Sequence, residues 1–418
     1  MNTRRLIAGI AVTAAASLAL TSCAGTTPAP GEDPAGADAA TVQFATWQFL
    51  EPNRGDALYA ALQSYPGADI EKVEVARADY EKQMSTQIGA GTGPDILVIP
   101  DAFFPELAAA GVLEPLDDVI AAASPRGFRD INDAYAWNGN QLGVVWEVVP
   151  YGLFWNKNIL EEAGVTAPTD VDSLIAAANA ITENTGHTGF TVRHQMAEET
   201  PWWTDHSNWE FGFGGAWSDG TSLTINSAKN VEAVEAYQKV YNAPGFGKGQ
   251  DASTYRSAFK SGALGMAIDN SSAVMTLLGE AVQAEDVGSA VLPFPGGGSA
   301  YAGFSIGVNA NGANKEAALK MIEWLIQADA QQLLADTLFP SAVATEIAPD
   351  AALTAAHPWT DAFFEQVKDS SSVVIPGFEQ QTPEIRTIVL TQIERALTEG
   401  ISAQEALDTA QAQAEALG

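Results

Sequence analysis

Cysteine is nearly absent from this sequence, which narrows the chemistry that the chain can carry. Cys23 is the only cysteine among 418 residues, so an internal disulfide and a cysteine-rich metal site are both excluded. Histidine is scarce as well, and none of the four histidines falls in the H-E-x-x-H spacing of a zinc protease. We therefore expect neither a metal nor a cofactor.

Positive charge is also in short supply. The chain has 20 lysines and arginines against 52 acidic residues, a formal net charge of −32. Such a surface repels nucleic acid and anionic lipid headgroups, so neither is an expected partner. Beyond the N-terminal region, no apolar run approaches the roughly 18 residues of a membrane-spanning helix. The remaining length suffices for two ordinary domains.

The N-terminal region has the features of an export signal. Arg4 and Arg5 precede an apolar stretch over 6–20, which ends at Leu-Thr-Ser-Cys. The segment resembles a bacterial lipobox, which predicts a lipoprotein signal peptide over 1–22 and acylation of Cys23. Residues 23–40, rich in proline, glycine and alanine, predict a disordered tether. We expect an extracytoplasmic protein held on the outer face of the cell membrane by its lipid.

From Thr41 onward, short apolar strands alternate with amphipathic helices. Runs at 42–47 and 95–100 predict strands, and Val73 and Val75 mark another between them. Asp79 precedes a helical pattern. Further helices are predicted after 169–170, after 226–227, over 315–334, along 385–397 and from Ser402. This order predicts an α/β sheet with ligand contacts at the carboxyl ends of its strands.

Four segments, in order, resemble those of extracellular solute-binding proteins of the maltose-binding, carbohydrate type. They are GTGPDI (91–96), YGLFWNK (151–157) with LEEAG (160–164), FKSGALGMAI (259–268), and GFSIG (303–307) with NKEAA (314–318). Together they extend the resemblance across essentially all of 41–418.

The resemblance implies a two-lobed α/β fold of the periplasmic-binding-protein type, with a hinge between the lobes. It places 41–147 plus 292–338 in the N-terminal lobe and 148–291 plus 339–418 in the C-terminal lobe. It also implies a monomeric receptor that captures a sugar and delivers it to the permease of an ABC importer, without catalysis.

Aromatic and carboxylate side chains cluster where the strands should end. Sugars present apolar C–H faces and polar hydroxyl edges, so a sugar site combines flat rings with carboxylates and amides. The candidate ligand-binding residues are Trp47, Gln48, Asp101, Trp146, Glu147, Tyr151, Trp202, Trp203, Trp209, Asp269, Asn270, Phe304 and Phe378. So many aromatics favour a disaccharide or oligosaccharide.

Some candidates have a second interpretation, because tryptophans are more often core residues. Asp101 and Asp269 also suit helix caps. For Trp202 and Trp203 we expect at least one in the cleft, since adjacent residues of a strand cannot both face the core.

Two alternative functions stay open at this point. Tryptophans with acids also form cages for polyamines or betaines. The candidate residues include no lysine or arginine, which argues against phosphate or carboxylate ligands. Ser305 lies in a G-x-S-x-G match with Asp350 and His357 downstream, the order of an α/β-hydrolase. Because Ser305 falls inside an apolar run, we interpret that match as accidental.

Overall fold

The structure, a computed structural model, describes residues 40–51, 54–77 and 79–417. The predicted signal peptide, Cys23 and all but the last residue of the predicted tether lie outside these residues. Those expectations therefore stay predictions.

The strands in the described part of the chain are short, except for two long ones near the middle of the sheet. They are β1 Thr41–Ala45, β2 Asp69–Val73, β3 Ile96–Pro100, β4 Ala136–Trp137, β5 Asn140–Gln141, β6 Val144–Asn156, β7 Thr188–Thr191, β8 Leu264–Asn270, β9 Val287–Ala290, β10 Ser299–Val308 and β11 Ser370–Ser371.

Helices follow most of these strands. They are α1 Gly55–Gln63, α2 Tyr80–Gly89, α3 Phe104–Ala109, α4 Asp117–Ala123, α5 Lys157–Ala163, α6 Val171–Thr185, α7 Glu199–Gly212, α8 Ala228–Tyr241, α9 Ala252–Lys260, α10 Ser271–Leu277, α11 Lys315–Leu325, α12 Ala328–Thr337, α13 Ala351–Ala356, α14 Thr360–Gln366, α15 Thr382–Thr398 and α16 Ala403–Glu415. Short 3-10 turns add Trp47–Leu50, Asp130–Tyr135, Met196–Glu198, Ala284–Asp286 and Val367–Asp369.

One mixed sheet organises the molecule. Its main path runs β2-β1-β3-β10-β6-β8-β7, with β11 paired to β10 and β9 paired to β6. β1 pairs in parallel with β2 and β3, whereas β10 runs antiparallel to β3 and β6. β4 and β5 form a separate hairpin.

Strand β6 changes partners halfway along its length. Residues up to Pro150 pair with β10, and residues from Tyr151 onward pair with β8 and β9. Nearly every residue of β6 is buried, as expected for a strand covered on both faces. A single strand therefore passes from one half of the molecule into the other.

The apolar side chains form separate cores on the two sides of this crossing. One core draws on 42–148 and 301–344, with Val367. A second draws on 151–294 and 375–414, and a smaller third core includes Phe154 and Trp359. The predicted two-lobed α/β fold is confirmed. Near the predicted lobe limits, Leu292 packs in the second core and 342–344 in the first, so those limits stay a proposal.

Several predicted elements are confirmed, and two need correction. Tyr80, Met84 and Ile88 are the buried residues of α2, as their spacing predicts. The strand predicted over 42–47 ends earlier, because Trp47 begins a 3-10 turn.

The helix predicted over 315–334 is in fact two helices. Gln327 is extended and separates α11 from α12. The Gln331 side chain donates to the Leu325 carbonyl oxygen at 2.8 Å, which satisfies one acceptor at the end of α11. No helix of the described residues is long and apolar enough to cross a membrane.

Candidate functional site

A cavity of about 510 Å³ lies between the two halves, where several strands end. Its volume is in the range of small-molecule sites. Its walls are formed by Arg77, Glu81, Pro100, Asp101, Ala102, Phe103, Glu106, Tyr151, Arg193, Thr200, Pro201, Trp203, Thr204, Asn270, Tyr301, Ala302, Gly303, Val373, Val374, Thr382, Pro383 and Arg386. We call this space the interlobe cavity.

Two neighbouring cavities flank it. One, of about 310 Å³, shares Asp101 and Val374 with it, and another, of about 440 Å³, shares Tyr301. Of these three cavities, only the interlobe cavity is lined by Trp203 of the second core and by residues at the ends of both β3 and β8. We therefore take it as the candidate site.

Asp101 forms the wall on the side of the first core, directly after β3. Its carboxylate accepts hydrogen bonds from the Tyr135 hydroxyl at 2.5 Å and the Ser372 hydroxyl at 3.1 Å. Burial raises the pKa of Asp101 to about 6, although these two hydrogen bonds favour the ionised form. Gly303 makes room for this carboxylate, because a Cβ there would lie 2.4 Å from Asp101 Oδ2.

Tyr151 and Asn270 line the cavity from paired positions on β6 and β8. Asp269, next to Asn270, does not line it. The Asp269 carboxylate is completely buried and accepts from Arg256 at 2.7 and 2.9 Å and from Tyr255 at 2.8 Å. Burial alone would raise the pKa of Asp269, but Arg256, Arg193 and the Tyr255 hydroxyl together hold that pKa below its usual value. We assign Asp269 to this buried network and leave it out of the proposed site.

Arg193 lies two residues beyond the end of β7 and lines the cavity on the side of the second core. Its Nη1 donates to Asp205 Oδ2 at 2.6 Å, and its Nε donates to Glu198 Oε1 at 3.3 Å. Arg193 is only 4% exposed, so these carboxylates fix the guanidinium at the cavity wall.

Trp203 is the tryptophan of the cavity wall. It lies on α7, and its ring stacks on Trp217 with centroids 4.6 Å apart. Its indole N–H donates to the Val373 carbonyl oxygen at 2.9 Å. The side chain is only 2% exposed and belongs to the second core, so it contributes little surface to the cavity.

The other two tryptophans of α7 also lie in the second core, and they do not line the cavity. Trp202 is fully buried, and Trp209 packs between Tyr237 and Phe294 at centroid distances of 5.0 and 4.5 Å. Trp202 and Trp203 lie on a helix, so the argument that placed them on a strand was wrong. A helix surrounded by other elements buries neighbouring residues together, and α7 packs against β10, α8 and α15. We leave Trp202 and Trp209 out of the proposed site.

Gln48, Trp146 and Glu147 meet in a buried network away from the interlobe cavity. Gln48 accepts from the Trp146 indole at 2.7 Å and donates to Glu147 at 2.5 Å. Arg54 completes the network through a hydrogen-bonded ion pair with Glu147. Their polar atoms bind one another, so we assign these residues a structural role.

Trp47, Phe304 and Phe378 do not line the interlobe cavity either. Trp47 packs on Phe304 with ring centroids 5.1 Å apart. The guanidinium carbon of Arg77 lies 4.7 Å from the Trp47 ring centre, so Trp47 supports a residue of the wall. Phe378 is half-buried beside a separate cavity of about 200 Å³.

Three arginines of the wall were missed by the sequence analysis. Arg77 and Arg193 follow the ends of β2 and β7, and Arg386 lies on α15. Arg77 and Arg193 come shortly after strand ends, where we looked for aromatic, acidic and amide residues but not for arginine. The candidate residues included no lysine or arginine, whereas three arginines line this cavity, so the argument against acidic ligands does not apply to it.

The hydrolase alternative lacks the required geometry. Ser305 lies in the middle of β10 and is completely buried, whereas a nucleophile elbow needs a strand, a sharp turn and a helix. Among the described residues, no group of three His, Cys, Asp or Glu side chains is arranged to hold a metal ion.

Solved structures of the same fold include sugar receptors. The GacH receptor of Streptomyces glaucescens, studied with and without acarbose, has a TM-score of 0.76 at 21% identity, covering 91% of this chain and 98% of that one. Maltose-bound MalE3 of T. maritima has a TM-score of 0.74 at 22% identity, covering 91% and 100%. The cyclic α-maltosyl-1,6-maltose binding protein of Arthrobacter globiformis has a TM-score of 0.76 at 20% identity, covering 90% and 98%.

Relatives found by sequence match a smaller part of the chain. A maltotriose-binding protein of Pyrococcus abyssi is 25% identical over 119 residues, which cover 28% of this chain and 26% of that protein. A binding protein of Brucella abortus is 24% identical over 257 residues, which cover 59% and 62%. The chain thus spans between about a quarter and three fifths of these curated relatives.

The family match is broader than either alignment. Residues 51–332 match the model of the bacterial extracellular solute-binding proteins. Members of this family bind solutes outside the cytoplasm, and they serve transport rather than catalysis. Because the match covers well over half of the chain, this protein belongs to the bacterial extracellular solute-binding protein family.

Proposed function

We propose that the protein captures a sugar, a disaccharide or oligosaccharide, in the interlobe cavity and delivers it to the permease of an ABC importer. The observation that carries this proposal is the composition of the cavity wall. Trp203 contributes an aromatic side chain to it, and Asp101, Asn270 and Arg386 contribute polar groups. A sugar ring needs this combination for its C–H face and its hydroxyl edge.

The comparisons support the same ligand class. Of the three proteins of this fold named above, one was solved in complex with acarbose and one with bound maltose. The third is a binding protein for a cyclic maltosyl-maltose. Their identities of 20–22% establish the fold alone, so the step to a sugar ligand rests on the cavity.

We further propose that the protein acts as a monomer, anchored by acyl chains on Cys23, and that its lobes close about a hinge. The limits proposed for the lobes are 41–147 plus 292–338 and 148–291 plus 339–418. Of the predicted ligand contacts, the proposed site keeps Asp101, Tyr151, Trp203 and Asn270, and it adds Arg77, Arg193 and Arg386.

The amine alternative is disfavoured by the charges of the cavity. A cage for a quaternary amine or polyamine presents aromatic faces and acids to the cation. Arg77, Arg193 and Arg386 line the cavity alongside its three acids, and their positive charges would oppose the binding of a cation.

Thermal unfolding with a panel of monosaccharides, oligosaccharides, polyamines and betaines tests this proposal. A ligand at 100 times its Kd stabilises the folded state by about 2.7 kcal/mol, which gives a clear rise in Tm. We expect a rise with one class of sugars and none with amines. A rise with amines only, or with no compound of the panel, would contradict the sugar proposal.

A further inference from the structure

We propose that the sugar carries a carboxylate, as a uronic acid does, and that Arg193 and Arg386 bind it at one end of the interlobe cavity. This inference rests on the proposed function and deepens it. It starts from the two guanidinium groups on the wall of the second core.

Arg193 is held so that one edge of its guanidinium stays unengaged. Asp205 and Glu198 accept from Nη1 and Nε, and among the described residues no hydrogen bond engages Nη2. Arg193 lines the cavity, so a ligand acceptor that reaches Nη2 would form a charge-assisted hydrogen bond with the guanidinium.

Arg386 presents a second donor edge on the same wall. Its Nε donates to Glu199 Oε1 at 2.9 Å, and its side chain is 15% exposed. Both of its Nη atoms lack a hydrogen bond within the described part of the chain. The guanidinium fork matches a carboxylate with two parallel hydrogen bonds, which a single hydroxyl cannot accept.

The acids of the cavity are placed on the opposite wall. Among the described residues, its acidic lining consists of Glu81, Asp101 and Glu106, all from the side of the first core. Glu198, Glu199 and Asp205, which hold the two arginines, do not line the cavity. On the side of the second core the cavity is therefore lined by Arg193 and Arg386 without an acid, whereas on the side of the first core the acids lie beside Arg77, which pairs with Glu81 at 3.0 Å.

The acidic surface of the whole chain does not cancel this local preference. Charges on an exposed surface are screened beyond about 8 Å at physiological ionic strength. Inside the cavity the effective dielectric constant is lower than in water, so an acidic ligand senses mainly the nearby charges, which are the guanidinium groups of Arg193 and Arg386 and the carboxylates that hold them.

Isothermal titration of the protein with matched acid and neutral sugars tests the inference. The probes are glucuronate and galacturonate with their 1,4-linked dimers, against glucose and galactose with the corresponding neutral dimers. Acetate and phosphate serve as anions without a sugar ring. We expect at least one acid sugar to bind at least tenfold more tightly than its neutral counterpart, and more tightly than acetate or phosphate.

Substitution of Arg386 assigns that preference to the cavity. Arg386→Gln should cost the acid sugar at least tenfold more affinity than the neutral one, and Arg386→Lys, which keeps the charge, should restore part of it. Arg395→Gln is the control on the same helix, because Arg395 pairs with Glu399 and does not line the cavity.

Each other outcome overturns the inference in a distinguishable way. Neutral sugars that bind as tightly as the acids would overturn it and leave the proposed function standing. Equal binding of phosphate would indicate a general anion site instead. Equal losses for both sugars in Arg386→Gln would remove the carboxylate contact. If no sugar of either set binds, the proposed function fails, and this inference fails with it.

Discussion

Asp101 is a buried carboxylate whose hydrogen-bonding partners are neutral. Tyr135 and Ser372 donate to it, the Tyr301 ring lies close by, and no cation contributes to its pKa. Burial raises the pKa of Asp101 from 3.8 to about 6. Because the folded-state pKa is the higher one, the folded state binds this proton more tightly than the unfolded state does. The stability that this group contributes is therefore fully present below about pH 4 and is lost as the pH rises through 6.

Asp101→Asn should remove that pH dependence. The difference in free energy of unfolding between variant and wild type should change by roughly 2–3 kcal/mol between about pH 4 and pH 7, in favour of the variant at the higher pH. Urea unfolding across this range measures it. Asp118→Asn, at an exposed position of α4, is the control. Parallel curves for Asp101→Asn and wild type would show that Asp101 titrates normally in the folded protein.

At the scale of elements, local sequence patterns predicted those helices whose apolar faces are one-sided. In α15, Ile385, Val389 and Ile393 fall on one face and are buried, as their spacing indicates. The rule that ligand groups follow strand ends also leads to Asp101 and Asn270 on the cavity wall. Applied to all residue types, it would have led to Arg77 and Arg193.

The rest depended on neighbours that are distant in sequence. α7 has buried residues on nearly all sides, including Asp205, His206 and Asn208, so it lacks the one-sided pattern that marks a surface helix. Which of its tryptophans meets the cavity is decided by contacts such as that of Trp203 with Val373, 170 residues away. Likewise, the network of Gln48 and Glu147 joins residues 99 positions apart. No local pattern reveals such pairs.

The two adjacent tryptophans of α7 should therefore differ in their effect on sugar binding. Trp203→Phe removes part of the stacking surface and the hydrogen bond to Val373, so it should weaken sugar binding by about 1 kcal/mol, roughly fivefold. Trp202→Phe is the matched control. Trp202 is as buried as Trp203 but does not line the cavity, so this variant should lower Tm without changing the Kd of the sugar. Calorimetric Kd values together with thermal unfolding measure both effects. Equal Kd values for the two variants would exclude Trp203 as a platform.

At the scale of the whole molecule, the site is built across the junction of the two halves. β6 runs through both, pairing with β10 before Pro150 and with β8 after it. The cavity walls come from both cores, with Asp101 on one side and Trp203 on the other. A ligand that contacts both walls gains most when the walls approach, and two lobes joined by crossing segments can move about a hinge.

We expect sugar binding to make the protein more compact. For a compact chain of this size the radius of gyration is roughly 21 Å, and small-angle X-ray scattering should show a decrease when the sugar found by titration is added. A sugar that does not bind in that titration serves as the control. Trp203→Phe should follow the same decrease at higher sugar concentration, since it weakens binding without removing the opposite wall. A constant radius with bound sugar would mean that the cavity is preformed. The affinity would then arise from its fixed walls, without closure of the lobes.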